Sequence, residues 1–209
     1  MKIPLAKEGF VFIIPLLVVT ILMFLLSFYW AAVFGGLGFL FVTWFFRDPE
    51  RHIPNEPNVI VSPADGKITE IVTEKEPING ELCKRVTIFL SVFNVHVNRV
   101  PIAGTIEEIR YNPGKFLAAF NPKASMDNEQ NIILINNGKT HVFVKQIAGL
   151  IARRIVCWPK KGDYYESGQR YGLIRFGSRV DILLPETTKL SVACGDRVSG
   201  GKSIIGYLT

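Results

Sequence analysis

The chain has little with which to crosslink itself or hold a metal. Its three cysteines, Cys83, Cys157 and Cys194, are an odd number with no C-x-x-C or Cys/His spacing, so neither a disulfide framework nor a zinc module is expected. Cysteine usage of this kind fits a reducing cytosol. No metal site is expected from the three scattered histidines. Charge is missing from Phe10 to Phe46, a run of 37 residues. A basic helix, a zinc finger and an aromatic-basic RNA motif are all absent, so the net charge of +6 does not point to nucleic acid. Beside an apolar segment it points to an anionic membrane surface.

A bilayer-crossing helix needs roughly 20 apolar residues, about 17 at the short end, so the uncharged run suits two short spans better than one. Ser27 to Ala31 offers a place to reverse, and Gly35 and Gly36 could loosen the backbone there. Lys2 and Lys7 on one flank and Arg47 and Arg51 on the other put both ends on the cytoplasmic face of a cell membrane, which a two-helix hairpin satisfies. A cleaved signal peptide would need a shorter apolar core and a small-residue cleavage site. A shallow interfacial anchor with Trp44, Phe45 and Phe46 at headgroup level stays open as the other reading. Residues 1–46 are therefore read as a membrane anchor, 47–57 with their three prolines as a linker, and 58–209 as the folded domain.

That domain reads as mainly β. Strand-like runs at 59–62, 67–73, 85–90, 106–111, 132–136, 140–148, 172–176, 180–184, 190–193 and 203–207 are punctuated by Asn79-Gly80, Asn112-Pro113-Gly114, Asn136-Asn137-Gly138 and Gly200-Gly201. A helical turn is expected only within 122–130. The segment 189–208 (KLSVACGDRVSGGKSIIGYL) has the apolar, Gly-Asp, Val, Gly pattern of barrel-sandwich domains. The fold class expected is a compact barrel-sandwich-like β domain behind an apolar helical hairpin. A non-catalytic membrane-anchored adaptor or carrier shares that outline. The carrier lacks a modifiable lysine at a hairpin tip, and the adaptor lacks the long helical hairpin that splits such barrels.

Three clusters carry chemistry. Gly177-Ser178 lies between two apolar runs, where a serine hydroxyl could attack the preceding carbonyl; glycine suits it by leaving the approach open and tolerating a strained backbone. Taken alone, Gly-Ser is a turn. Ser62-Pro63-Ala64-Asp65-Gly66-Lys67 puts an acid into what is otherwise turn chemistry. The run 89–101 (FLSVFNVHVNRVP) sets His96 in an apolar strand beside Arg99, where the ordinary reading is a satisfied core histidine.

In chain order, Ser62–Lys67, the run 89–101, NPKASMDNEQN, GLIARRIV and GLIRFGS resemble the phosphatidylserine decarboxylases, most closely their short membrane-associated branch. The resemblance covers roughly residues 47–209 behind the anchor. It implies that Ser178 attacks the Gly177 carbonyl and that the ester formed undergoes β-elimination. The chain ending at Gly177 is released and dehydroalanine is left at 178, which tautomerises and loses ammonia to hydrolysis. The products are a β chain, 1–177, and an associated α chain, 178–209, that begins with a covalent pyruvoyl group. That ketone would form a Schiff base with the serine headgroup amine of phosphatidylserine and accept the electrons freed by loss of carbon dioxide, leaving phosphatidylethanolamine. No metal or diffusible cofactor is implied.

Asp65 matches the family's processing aspartate, which orients a histidine to take the Ser178 proton. His96 is the one histidine in the matching segment. Many long-form relatives have H-x-x-H there, whereas this chain has His96-Val97-Asn98-Arg99, so either His96 serves both cleavage and decarboxylation or Arg99 takes an electrostatic share. Arg153 and Arg154, followed by Lys160 and Lys161, suit a lipid phosphodiester or the substrate carboxylate, the other reading being a solvated basic face. His141 reads as structural, His52 as solvated, and Cys157 and Cys194 as small core residues. Oligomeric state is left open, a homo-oligomer included.

Overall fold

The computed structural model describes residues 4–77, 80–114, 128–149, 154–175 and 177–209. The chain divides into two compact units, Met1–Glu50 and Arg51–Thr209. In the first, α1 (Phe10–Leu25) and α2 (Tyr29–Phe45) run against each other, with the reversal at Ser27, whose φ is 64°. Gly35 lets the helices close: a Cβ there would fall 2.6 Å from Thr20 Oγ1. The ends are tied by the Ala6 N–H, which donates to the Phe46 carbonyl at 2.8 Å. Lys7–Leu25 is long and apolar enough to cross a membrane, with a mean hydropathy of 2.5; α2 is shorter. Much of the pair's apolar surface is exposed, Trp30 and Phe34 most of all.

The second unit is built of β1 (Val59–Val61), β2 (Gly66–Lys75), β3 (Leu82–Leu90), β4 (Val97–Arg99), β5 (Gly104–Pro113), β6 (Glu129–Asn136) and β7 (His141–Ala148). It continues with β8 (Ile155–Cys157), β9 (Tyr164–Tyr165), β10 (Arg170–Ile174), β11 (Ser178–Pro185), β12 (Lys189–Leu190), β13 (Arg197–Val198) and β14 (Ile204–Tyr207). These form an eight-stranded sheet, β13-β2-β3-β11-β7-β6-β5-β9, and two three-stranded sheets, β1-β14-β12 and β4-β10-β8. The large sheet curls as a half-barrel, so the chain is mainly β behind a helical pair, as expected. Residues 51–56 pack on this unit: Arg51 reaches Asp65, and Glu56 accepts from the Tyr207 hydroxyl at 2.8 Å.

Alternation along the strands sorts the two faces of the large sheet. Val86, Ile88 and Leu90 of β3, Ile133 and Ile135 of β6, Val142, Val144 and Ala148 of β7, and Val180, Ile182 and Leu184 of β11 build the main core on the inner face. Cys83, Leu134, Phe143 and Leu183 form a small cluster on the outer face. By the same alternation Asn131, Gln146 and Ser178 look inward. The helical turn expected within 122–130 falls mostly outside the described residues, and Glu129 and Gln130 belong to β6. Gly35 and Gly36 continue α2 without a break.

Candidate active site

β10 and β11 follow each other in sequence but belong to different sheets, β10 ending at Ile174 and β11 starting at Ser178. Gly177 makes the transfer with φ +65°. Among the described residues a Cβ there would meet only Val92 Cγ1, at 3.9 Å, so it is the left-handed backbone that asks for glycine. Ser178, the first residue of β11, is fully buried. Its Oγ has no hydrogen-bond partner among the described residues. A buried hydroxyl left unpaired costs about 1–3 kcal/mol, a cost without return unless the oxygen is used.

His96 is delivered by strand pairing. β4 runs antiparallel to β10 with Val97 opposite Leu173, and the Ile174 N–H donates to the His96 carbonyl at 3.3 Å. Three residues later the Gly177 N–H donates to His96 Nε2, also at 3.3 Å. The other ring nitrogen, Nδ1, is 3.0 Å from the Asn94 carbonyl. A carbonyl only accepts, so Nδ1 carries the proton and Nε2 keeps its lone pair toward position 177. Asn94 is itself fixed by a turn in which its Oδ1 accepts from the Ser91 N–H at 2.9 Å and the Ser91 hydroxyl at 2.8 Å. The fold thus brings Gly177, Ser178 and His96 together.

Asp65 is placed elsewhere. The sequence expectation had its carboxylate orienting the histidine. In the structure Oδ2 pairs with Arg51 at 2.8 Å and Oδ1 accepts from the Gly200 N–H at 2.7 Å, while His96 Nδ1 is turned to Asn94. Arg99, next along from Asn98, donates to the Gly168 carbonyl at 2.9 Å and packs on Gly201, where a Cβ would lie 2.7 Å from its Cδ. Asp65 and Arg99 therefore share the Gly200–Gly201 turn. Arg153 lies outside the described residues. Arg154 is exposed, and its carbonyl accepts from the Arg175 N–H at 3.2 Å. Lys160 and Lys161 are exposed in the loop after β8. His141 pairs with Glu107 at 3.0 Å, and His52 is exposed. Cys157 is half-buried, its thiol pushed up to about 11 by burial against a hydrogen bond from Asn131. Cys194 is exposed, so it is not the core residue expected: the turn Ala193–Asp196 carries it on the surface.

A sequence model of the family described as phosphatidylserine decarboxylase matches residues 39–206. The chain belongs to that family. It is 47% identical over 206 residues to a phosphatidylserine decarboxylase proenzyme of Syntrophus aciditrophicus, covering 97% of this chain and 96% of that one. A proenzyme of the same name from Geotalea uraniireducens is 44% identical over 98% of this chain and 97% of its own. One from Desulfotalea psychrophila is 53% identical over 172 residues, 80% of this chain and 79% of its own. Family membership makes the chain an enzyme, a decarboxylase of the lyase class, and sets aside the adaptor and carrier readings.

Two groups of polar residues escaped sequence reasoning. One is the inward chain of Asn131, Gln146 and Asn98, legible only as polar residues at core positions of otherwise apolar strands. The other lies on the outer face directly behind Ser178. There Arg179 clasps Asp181 through Nε–Oδ1 at 2.7 Å and Nη2–Oδ2 at 2.9 Å, with Nη2 also 3.3 Å from Thr87 Oγ1. Arg179 and Asp181, with Glu74, Arg85 and Lys145, line a cavity of about 220 Å³. Burial holds the Lys145 amine below its usual range, and the Asp181 carboxylate opposes that. The Asp181-x-Arg179 spacing, i to i+2 on a strand, was the available signal.

Proposed function

We propose that the chain is a proenzyme that cuts itself between Gly177 and Ser178 and then, through the pyruvoyl group left at 178, converts phosphatidylserine to phosphatidylethanolamine and carbon dioxide. The observation that carries this reading is the fully buried, unpartnered Ser178 Oγ beside a left-handed Gly177 whose N–H is held by His96 Nε2. These residues fit the group: the hydroxyl that would become it sits dry in the core, next to a base in the right tautomer. His96 takes the Ser178 hydroxyl proton on Nε2 as Oγ adds to the Gly177 carbonyl carbon, and returns it to the Ser178 nitrogen as the C–N bond breaks. Asn94 keeps the second ring proton on Nδ1 throughout. Once formed, the pyruvoyl group supplies an electron sink for the carbanion of decarboxylation. His96 is then placed to hand a proton to the product side.

Asp65 acts through what it holds. By tying Arg51 and the Gly200 N–H it fixes the turn on which Arg99 packs, and so the strand that carries His96. Arg154, Lys160 and Lys161 offer cations to the lipid phosphodiester. The apolar helical pair keeps the enzyme on the bilayer from which its diacyl substrate will not depart, with the basic flanks Lys7 and Arg47 toward the cytoplasm. The cut chains stay associated, since β11 is hydrogen-bonded on both sides to strands preceding the cut.

The test is intact mass under denaturing conditions, with turnover of phosphatidylserine in vesicles. The native chain should give a species ending at Gly177 and a blocked one of 32 residues, 178–209, and release carbon dioxide. Ser178→Ala should give one uncut, inactive chain. A cut or active alanine variant overturns the reading.

A further inference from the structure

The serine and histidine leave one buried polar cluster unused. Asn131 on β6, Gln146 on β7 and Asn98 on β4 are 2%, 0% and 0% exposed. Asn131 Nδ2 donates to Gln146 Oε1 at 3.2 Å, and Gln146 Nε2 donates to Asn98 Oδ1 at 2.8 Å. Every donor points the same way, so each bond polarises the next. The series ends on Asn98 Nδ2, which has no partner among the described residues. An amide N–H₂ at the positive end of a dry, polarised chain calls for an oxygen that carries negative charge.

Two features direct that amide to the cleavage point. Gln146 lies on the inner face of β7, opposite Val180, while Ala148, one pleat further, lies opposite Ser178. Gln146 is thus the diagonal neighbour of Ser178 on the same face, and Asn98 bonds to it. From the other side, His96 is two residues before Asn98 and its Nε2 already meets the Gly177 N–H. The Asn98 amide and the His96 imidazole therefore approach residues 177–178 from the same short segment. Asn98 Nδ2 and the Ser178 hydroxyl are both buried and both without a partner among the described residues.

We infer that Asn98 Nδ2 is the donor that stabilises the Gly177 carbonyl oxygen as it becomes an oxyanion, which deepens, and rests on, self-cleavage at Gly177-Ser178. As the Ser178 Oγ–carbon bond forms and its proton passes to His96, the carbonyl π pair moves onto the Gly177 oxygen and is met by Asn98. Collapse returns that pair to the carbonyl, breaks the bond to the Ser178 nitrogen and gives the ester. Gln146 and Asn131 are positioning residues that orient and polarise the Asn98 amide.

The experiment follows cleavage of the full chain synthesised into lipid nanodiscs, by denaturing gel and intact mass, with Ser178→Ala as the uncut control. Asn98→Ala and Asn98→Asp, the second nearly isosteric, should cleave about 10²–10³-fold more slowly, the usual loss of one oxyanion donor. Gln146→Leu should slow cleavage less. Thermal unfolding of each variant on the Ser178→Ala background separates folding from chemistry. Hydroxylamine at neutral pH, which cuts esters well ahead of amides, adds a readout at position 177 that packing alone would not move, fragments from the Asn79-Gly80 and Asn137-Gly138 bonds being told apart by mass: the uncut Asn98 variants should resist it at 177, because they stall before the ester. Wild-type cleavage by Asn98→Asp, or uncut Asn98 variants that hydroxylamine splits at 177, overturns the assignment and leaves the proposed function intact. Cleavage of Ser178→Ala would instead overturn the reading beneath it.

Discussion

Replacing Gly177 by alanine isolates the backbone contribution to self-cleavage. At φ +65° a Cβ has open space, its nearest neighbour being Val92 Cγ1 at 3.9 Å, so the penalty is that of a left-handed L-residue, about 1–2 kcal/mol. On the uncut Ser178→Ala background, a loss of that size lowers Tm by about 2–8 °C for a chain of this length. The same open space lets the alanine escape by relaxing to negative φ. The fraction of molecules holding the turn then falls by about 5–30-fold, since each 1.4 kcal/mol is a factor of ten, and cleavage slows in proportion. Gly138 supplies the control: its φ is +84°, a Cβ there would meet nothing within 4 Å among the described residues, and it sits in the hairpin between β6 and β7. Gly138→Ala should cost a similar Tm and leave the cleavage rate alone. The comparison is scored by thermal unfolding and by the time course of α-chain release. Wild-type cleavage by Gly177→Ala, or equal slowing by both variants, refutes the argument that the left-handed turn is the reactive conformation.

Asp181→Ala should cost about 3–5 kcal/mol in urea unfolding on the uncut background, because it leaves the buried Arg179 guanidinium unpaired beside Arg85 and Lys145; a loss under 1 kcal/mol would show that the clasp contributes nothing net. Cysteine alkylation at pH 8 should single out Cys194, which is exposed, while Cys83 and Cys157, both pushed up to about 11 with burial as the main cause, hold roughly one thiolate in a thousand. Peptide mass mapping reads this directly, and early labelling of Cys157 would contradict its placement.

Most of the sheet was legible because its strands alternate cleanly. The runs at 67–73, 85–90, 106–111, 132–136 and 140–148 sit inside or nearly coincide with β2, β3, β5, β6 and β7, and Asn136 to Gly138 turns between the last two. The helical pair was legible from the uncharged run and reverses at Ser27, as the spacing asks. β4 is only three residues long and lies in a segment whose residues are all buried, so periodicity could not set its register against β10. That register is what carries His96 to Gly177. The partner of Asp65 was not legible either, since Arg51 looked like part of a solvated linker and only the folded chain presses it onto the β unit. The amide chain from Asn131 to Asn98 joins three strands from two sheets, a relation that no local pattern contains.

The change of sheet from β10 to β11 bears on when the chain can fold. β11 lies inside the large sheet, in register with β3 from Ser178↔Leu90 to Pro185↔Cys83 and with β7 on its other side, while β13 pairs with β2 and β14 with β1. A chain cut before Ser178 would have to recruit a separate 32-residue fragment into the middle of a sheet, a second-order event in place of loop closure within one molecule. Under the proposed cut, assembly would belong to the uncut chain. With the proposed cut made, a population denatured after it should recover far less than one denatured before it.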